Sequence, residues 1–314
     1  MPAVFSHYYM AQHTKNVCAV PCGMVRDAFN WGAQGPDVLY YSKGIKPRAS
    51  LRKCGVLMHH IDPALLFETF FDIYNAGGYS EIALSYIQGF ICHYTLDRSA
   101  HPYIYYLSQQ LVTRDDILSI FIHNRIEHNI DVLVLLKEKH VGGDKICAVS
   151  VLPANREVLF EVSAFLTEVM RRMFKKRARR INQKRVFRCF KGSRQMARLL
   201  FDRTGRKQKI YRRIERVLDI GPAFSGIIRP KEPDNGIDYT NSLNTPWYYL
   251  DDMVKGSDDT PPHTESYFDM EATAIQDAAD MIYRFNECLE NGKYTDFTGH
   301  LGFTTGRPVY LRGV

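Results

Sequence analysis

His93, Asp97 and His101 fall at four-residue intervals in one short stretch, HYTLDRSAH. On an α-helix, residues four apart are neighbours on one face, so these side chains project together. His123 and Glu127 repeat the spacing, and Asp131 lies one turn further on. Imidazole nitrogen and carboxylate oxygen are donors that zinc accepts, and facing helices of a bundle are a common way to assemble them. His7, Asp37 and the adjacent pair His59 and His60 are further donors earlier in the chain. A single His-x-x-x-acid pair reads as a solvated or capped helix face. Two pairs, with a trailing histidine, favour a metal centre. Asp131 reads either as a carboxylate behind a ligand histidine or as a solvated or capping group. His128, one position off the ligand face, reads as structural or exposed.

The elements that must position these residues read as helices. Asp62 is placed to cap a helix whose first residue is Pro63, over 62–74. Ser80 is placed to cap the next, over 79–97, with apolar residues at helical spacing. Pro102 disfavours the α conformation at His101, so this helix is expected to end near there. Further helices are expected over 113–139, capped by Thr113, and over 153–181, 192–203, 208–217 and 267–290. The stretch from Gly221 to Pro262 is rich in loop-forming residues, and the weak strand signals lie near 301–312. The expected class is all-α, one domain over 1–314, with a metal-ligand core in 1–140, a basic helical segment in 165–217 and a C-terminal helix over 267–290. Tyr94, Tyr103 and the Trp247–Tyr248–Tyr249 run could line a pocket, but core packing is their expected role.

The chain has 314 residues, enough for a substantial core. Its seven cysteines are scattered and odd in number, which suits reduced thiols better than a disulfide framework. There is no run of about 18 apolar residues to span a membrane and no signal-peptide pattern, so the expected location is cytoplasmic, with peripheral membrane contact in reach. The net charge of +7 conceals an asymmetry: residues 171–216 carry 20 Lys and Arg against Asp202 and Glu215, which leaves −11 for the remainder. A segment this basic faces an anionic lipid surface, nucleic acid (with Phe174, Phe187 and Phe190 interleaved for stacking), or solvent. Lipid ranks ahead of nucleic acid. The phase of the segment is mixed, giving no clean amphipathic helix.

The order of donors resembles that of the zinc-dependent phospholipase C family and the related single-strand nucleases. An early Ser6–His7 is followed by Asp37 after a turn, then HHIDP (59–63), HYTLD with its trailing His101, and HNRIE (123–127). The resemblance covers residues 1–131 well and 150–314 loosely, through NSLNTPWYY (241–249) and the final helix. It implies an all-α bundle holding two or three zinc ions. By that likeness Asp37, His59, His93 and Asp97 ligate one ion, His101, His123 and Glu127 a second, and His7 with a bridging Asp97 a third. The spacing to Asp62 and Pro63 favours His59 over His60. Asp37 is the expected catalytic carboxylate beside the nucleophilic water. The implied activity is hydrolysis of a phosphoester, with a phospholipid or another phosphodiester as substrate. The alternatives are a nuclease-like phosphodiesterase and a non-catalytic metal protein that holds an anionic partner.

Overall fold

The computed structural model describes residues 4–41, 50–112, 116–178, 181–218, 220, 222–255 and 261–310. Among them the chain is helical, with no strand: α1 (Val4–Val17), α2 (Arg26–Gly32), a 3₁₀ segment (Gly35–Tyr41), α3 (Ser50–Met58), α4 (Pro63–Asn75), α5 (Glu81–Leu111), α6 (Asp116–Lys139), α7 (Arg156–Ala178), α8 (Gln183–Leu200), α9 (Arg206–Val217), α10 (Leu250–Lys255) and α11 (Tyr267–Asn291), with short 3₁₀ turns at Ala148–Ser150 and Ser225–Ile227. The tail expected to be strand-like contributes only an isolated bridge between Leu301 and Pro308. Among the described residues, no helix is long and apolar enough to cross a membrane.

The long α5 is the axis of the packing. It contacts α1, α2, α6, α7 and α11, and from Ala83 to Ile104 almost every side chain is buried. A helix buried on all sides must be apolar or have its polar groups engaged by partners. α5 meets that condition with rings on one side and the donor stretch on another. Phe90 packs edge-on against Phe67 and Phe70 of α4, and Phe70 against Phe165 of α7. α2 crosses α5 closely: a Cβ on Gly32 would meet the Tyr86 carbonyl oxygen at 2.1 Å, and one on Gly89 the Phe29 carbonyl oxygen at 2.2 Å. Only glycine allows the two backbones this approach.

The two predicted N-caps form: the Asp62 carboxylate accepts from Ala64 N at 2.9 Å and the Ser80 hydroxyl from Ile82 N at 3.1 Å. Thr113 lies outside the described residues. The expected end of α5 is wrong. The helix runs through Pro102 to Leu111. Proline deprives the Arg98 carbonyl of its helical partner, and Gly306 packs so closely over that carbonyl and the Pro102 ring that a Cβ there would lie 3.0 Å from the oxygen. Burial of the surrounding turn outweighs the local preference. The consequence reaches the site, because His101 stays on the same helical face as Asp97. α8 also begins earlier than expected, at an Asn182 cap that accepts from Arg185 N at 3.1 Å.

Candidate metal centre

Five segments deliver the donors. α1 carries His7, the 3₁₀ segment carries Asp37, the turn after α3 carries His59, and the facing helices α5 and α6 carry His93, Asp97, His101, His123 and Glu127. The side chains converge in three groups: His7, His93 and Asp97; Asp37, His59 and His93; His101, His123 and Glu127. Within each group the donor atoms lie within 4.8 Å of one another. All eight residues are buried except His123, which is half-buried, while His60 is exposed and outside the cluster. The placement therefore selects His59 from the adjacent pair.

Asp97 is the hub. Its Oδ1 is 3.3 Å from His7 Nε2, and its Oδ2 is 3.1 Å from His93 Nε2, 3.6 Å from His59 Nε2 and 3.7 Å from His101 Nδ1. Asp37 Oδ1 lies 3.3 Å from His59 Nε2. Glu127 Oε1 lies 3.2 Å from His123 Nε2 and 3.4 Å from His101 Nε2. Ligand atoms about 2.1 Å from a tetrahedral zinc sit about 3.4 Å from each other, so separations that also suit His–carboxylate ion pairs are compatible with a shared ion. The hydrogen-bond inventory agrees. His93 Nε2, Asp97 Oδ2 and Glu127 Oε2 are buried polar atoms without a hydrogen-bond partner, a costly condition unless something else satisfies them.

The rings behind the donors are set by the rest of the chain. His59 Nδ1 lies 2.8 Å from the Gly55 carbonyl, so it donates there and Nε2 is the atom turned to Asp37 and Asp97. Likewise His101 Nδ1 donates to the Phe303 carbonyl at 3.0 Å and leaves Nε2 for the Glu127 group. Such outer partners fix the tautomer and aim of a ligand histidine. His93 stacks on His7, with ring centroids 4.2 Å apart. Gly35, at φ +49°, makes room for it: a Cβ there would meet the His93 ring at 2.1 Å.

Burial alone would push the carboxylates upward in pKa, but the histidines outweigh it. Asp97 sits well below its ordinary value through His101 and His93, Glu127 is lowered through His123 and His101, and Asp37 is lowered through its bond to His59. Burial disfavours the charged form of His59 and His101, yet Asp37 raises the first, and Asp97 with Glu127 lifts the second to about 9. Burial wins at His93, whose pKa is lowered. The cluster is thus a set of ionised carboxylates ready to hold cations.

No family model, curated protein or solved structure matches this chain. The donor geometry therefore carries the functional argument by itself: buried His/Asp/Glu groups that can hold metal ions.

Asp131 holds no ligand histidine. Its carboxylate accepts from Phe5 N at 3.1 Å, Ser6 N at 2.9 Å and the Ser6 hydroxyl at 2.9 Å. It caps the first turn of α1 from across the fold, and so positions the helix that carries His7. Arg229 lies 3.8 Å from it and over the Phe5 ring. Replacing Asp131 with alanine strands these buried donors, so unfolding titrations are expected to show a loss of about 3 kcal/mol. Bound metal should fall first at the His7 group. A variant as stable as the parent would remove this anchoring role.

Tyr94 and Tyr103 are buried and give their hydroxyls to the carbonyls of Leu301 (2.6 Å) and Asp238 (3.1 Å), and Trp247 is buried against His263. They pack the core. Two half-buried tyrosines that the sequence reading passed over do reach the cluster. The Tyr105 ring lies tilted against that of His123, centroids 4.8 Å apart, and the Tyr40 hydroxyl lies 3.3 Å from His59 Nδ1. Tyr105 follows His101 by four residues, so the spacing that found the ligands also points to it.

Proposed function

We propose that the chain is a metal-dependent phosphoesterase of the zinc-dependent phospholipase C type, with an all-α bundle of that kind around two or three zinc ions. The observation that carries this is the convergence of His7, Asp37, His59, His93, Asp97, His101, His123 and Glu127, in the chain order of that family, on three adjoining donor groups. The donor set of imidazoles and carboxylates suits zinc. When bound, such ions lower the pKa of water towards roughly 7 and offset the negative charge of a phosphate group.

The chain's own residues do the rest. Asp97 and Glu127, kept ionised by their histidines, hold the positive charge in place. Asp37, ionised and 3.3 Å from His59, is the carboxylate available to orient a water or accept its proton. Tyr40 and Tyr105, half-buried beside His59 and His123, offer hydroxyls and ring faces to a substrate at the rim.

The test is turnover of the zinc-loaded protein on phosphatidylcholine, single-stranded DNA and a bis-aryl phosphodiester. We expect hydrolysis of phosphatidylcholine or the simple diester, abolished by a chelator and restored by zinc. Cleavage of DNA alone would move the assignment to a nuclease. No turnover on any of the three, with metal content verified, would replace the enzyme with a metal-binding protein.

A further inference from the structure

The basic segment contains a helix whose polarity is inverted, and it is α9. Its inward stripe is polar: Gln208, Arg212 and Glu215, at i, i+4 and i+7. Gln208 N bonds Asp202 at 2.9 Å and its amide reaches the Ile228 carbonyl at 3.1 Å. Arg212 pairs with Asp234 at 2.6 Å. Glu215 is buried and accepts from Phe224 N at 2.6 Å and Ser225 N at 2.8 Å. Its outward stripe is apolar: Ile210, Ile214 and Val217, the same spacing shifted by two residues and therefore about 200° round the helix. Ile210 is 58% exposed, Ile214 43%, Val217 79% and the following Leu218 60%. The ring pair of Tyr211 and Phe224, centroids 5.7 Å apart, extends this surface. In the sequence this stretch has a mixed phase, because its apolar and polar stripes alternate with cations round the helix.

A third stripe runs beside the apolar one. Arg206, Lys209, Arg213 and Arg216 are all exposed, and among the described residues of α9 no exposed acid accompanies them. Lys207, which would interrupt the apolar face, is instead tied back to the carbonyls of Leu199 (3.0 Å) and Phe201 (2.9 Å).

We infer that α9 is an interfacial helix that seats the protein on an anionic lipid surface. An apolar stripe rimmed by cations is what such a surface takes: the aliphatic side chains enter the headgroup boundary, and the cations meet anionic lipid. A protein that engulfs its helical target needs all sides of it, and here the polar side is already bonded to the fold. A second copy of this chain would bring one cationic rim against another. A bilayer asks for one face only. Of the three interleaved rings that would favour nucleic acid, Phe174 and Phe190 are fully buried, and the half-buried Phe187 sits under Lys191 on α8, off the α9 surface. α9 is tied to α6 through one shared carboxylate. Asp234 joins Arg212 to Arg125 Nε at 2.8 Å, and Arg125 sits on α6 between His123 and Glu127.

This inference is independent of the catalytic reading, because docking is measured without turnover. Full-length protein is floated on density gradients with vesicles of phosphatidylcholine alone and with vesicles containing phosphatidylserine. We expect flotation with the anionic vesicles, reduced by added salt. Ile210→Ser with Val217→Ser, both at exposed positions, should weaken it at least about tenfold while bound metal is retained. Arg213→Gln with Arg216→Gln should remove the preference for anionic lipid. In a separate variant, Ile214→Trp should show a blue-shifted emission when anionic vesicles are added. Absence of flotation by the parent protein, or an Ile214→Trp emission unmoved by vesicles, would overturn the proposal. So would a serine double variant that floats like the parent, or one whose defect is instead the loss of a concentration-dependent dimer.

Discussion

Asp97→Asn is expected to strip the His7, Asp37, His59 and His93 side of the centre while sparing the His101, His123 and Glu127 group. Among the described residues, Asp97 is the one carboxylate within 3.7 Å of four histidines: His7, His59, His93 and His101. The asparagine is nearly isosteric, so packing survives and the lost quantity is negative charge. Without it His93, already disfavoured as a cation by burial, and His59 face divalent ions with only Asp37 to balance them. Losing an outer partner of a ligand costs about 10–100-fold in metal affinity, and loss of a bridging ligand charge should exceed about 100-fold. Elemental analysis of the dialysed variant should then find at most about one ion per chain. Two or more retained ions would show that Asp97 is not the bridge. Glu127→Ala supplies the mirror image, removing the ion that Asp97→Asn leaves.

Metal uptake by the His101 group is expected to release a proton at neutral pH. In the metal-free centre Asp97 and Glu127 lift His101 to about 9, so at pH 7 it carries a proton that an ion must displace. The sign follows directly. Between pH 7 and about 9, apparent affinity should rise about tenfold per pH unit, then level off. Titration calorimetry in buffers of different ionisation enthalpy reads the proton count, and a buffer-independent heat would contradict it. The metal-free protein follows the opposite slope. A histidine raised from its ordinary value of about 6.5 contributes its stabilisation fully below that pH and loses it as pH rises through about 9. Alkaline conditions should therefore weaken the metal-free fold and strengthen metal binding, so the stabilisation by added zinc should grow between pH 7 and 9.

The donor pairs on α5 and α6 were legible because helical spacing places side chains without tertiary knowledge. His93 with Asp97, and His123 with Glu127, needed only the four-residue rule, and the caps at Asp62 and Ser80 needed only local chemistry. What failed depended on contacts far along the chain. Pro102 reads as a stop, yet α5 continues because burial and the close packing of Gly306 support the turn. Asp131 reads either as a histidine partner or as a cap, and only the fold shows that it caps α1 through the amides of Phe5 and Ser6, 125 or more residues away. α9 reads as mixed because outward apolar residues violate the usual rule. The same inversion is what singles it out once its inward bonds are seen.

If the eight donor side chains hold zinc, anomalous scattering at the zinc edge on crystals of zinc-loaded protein locates each ion among them. Separate peaks are expected within the Asp37, His59, His93 and Asp97 side chains and within the His101, His123 and Glu127 side chains, with any third peak beside His7 and Asp97. Crystals of fully loaded protein with no peak inside either of the first two sets would rule out the metal centre.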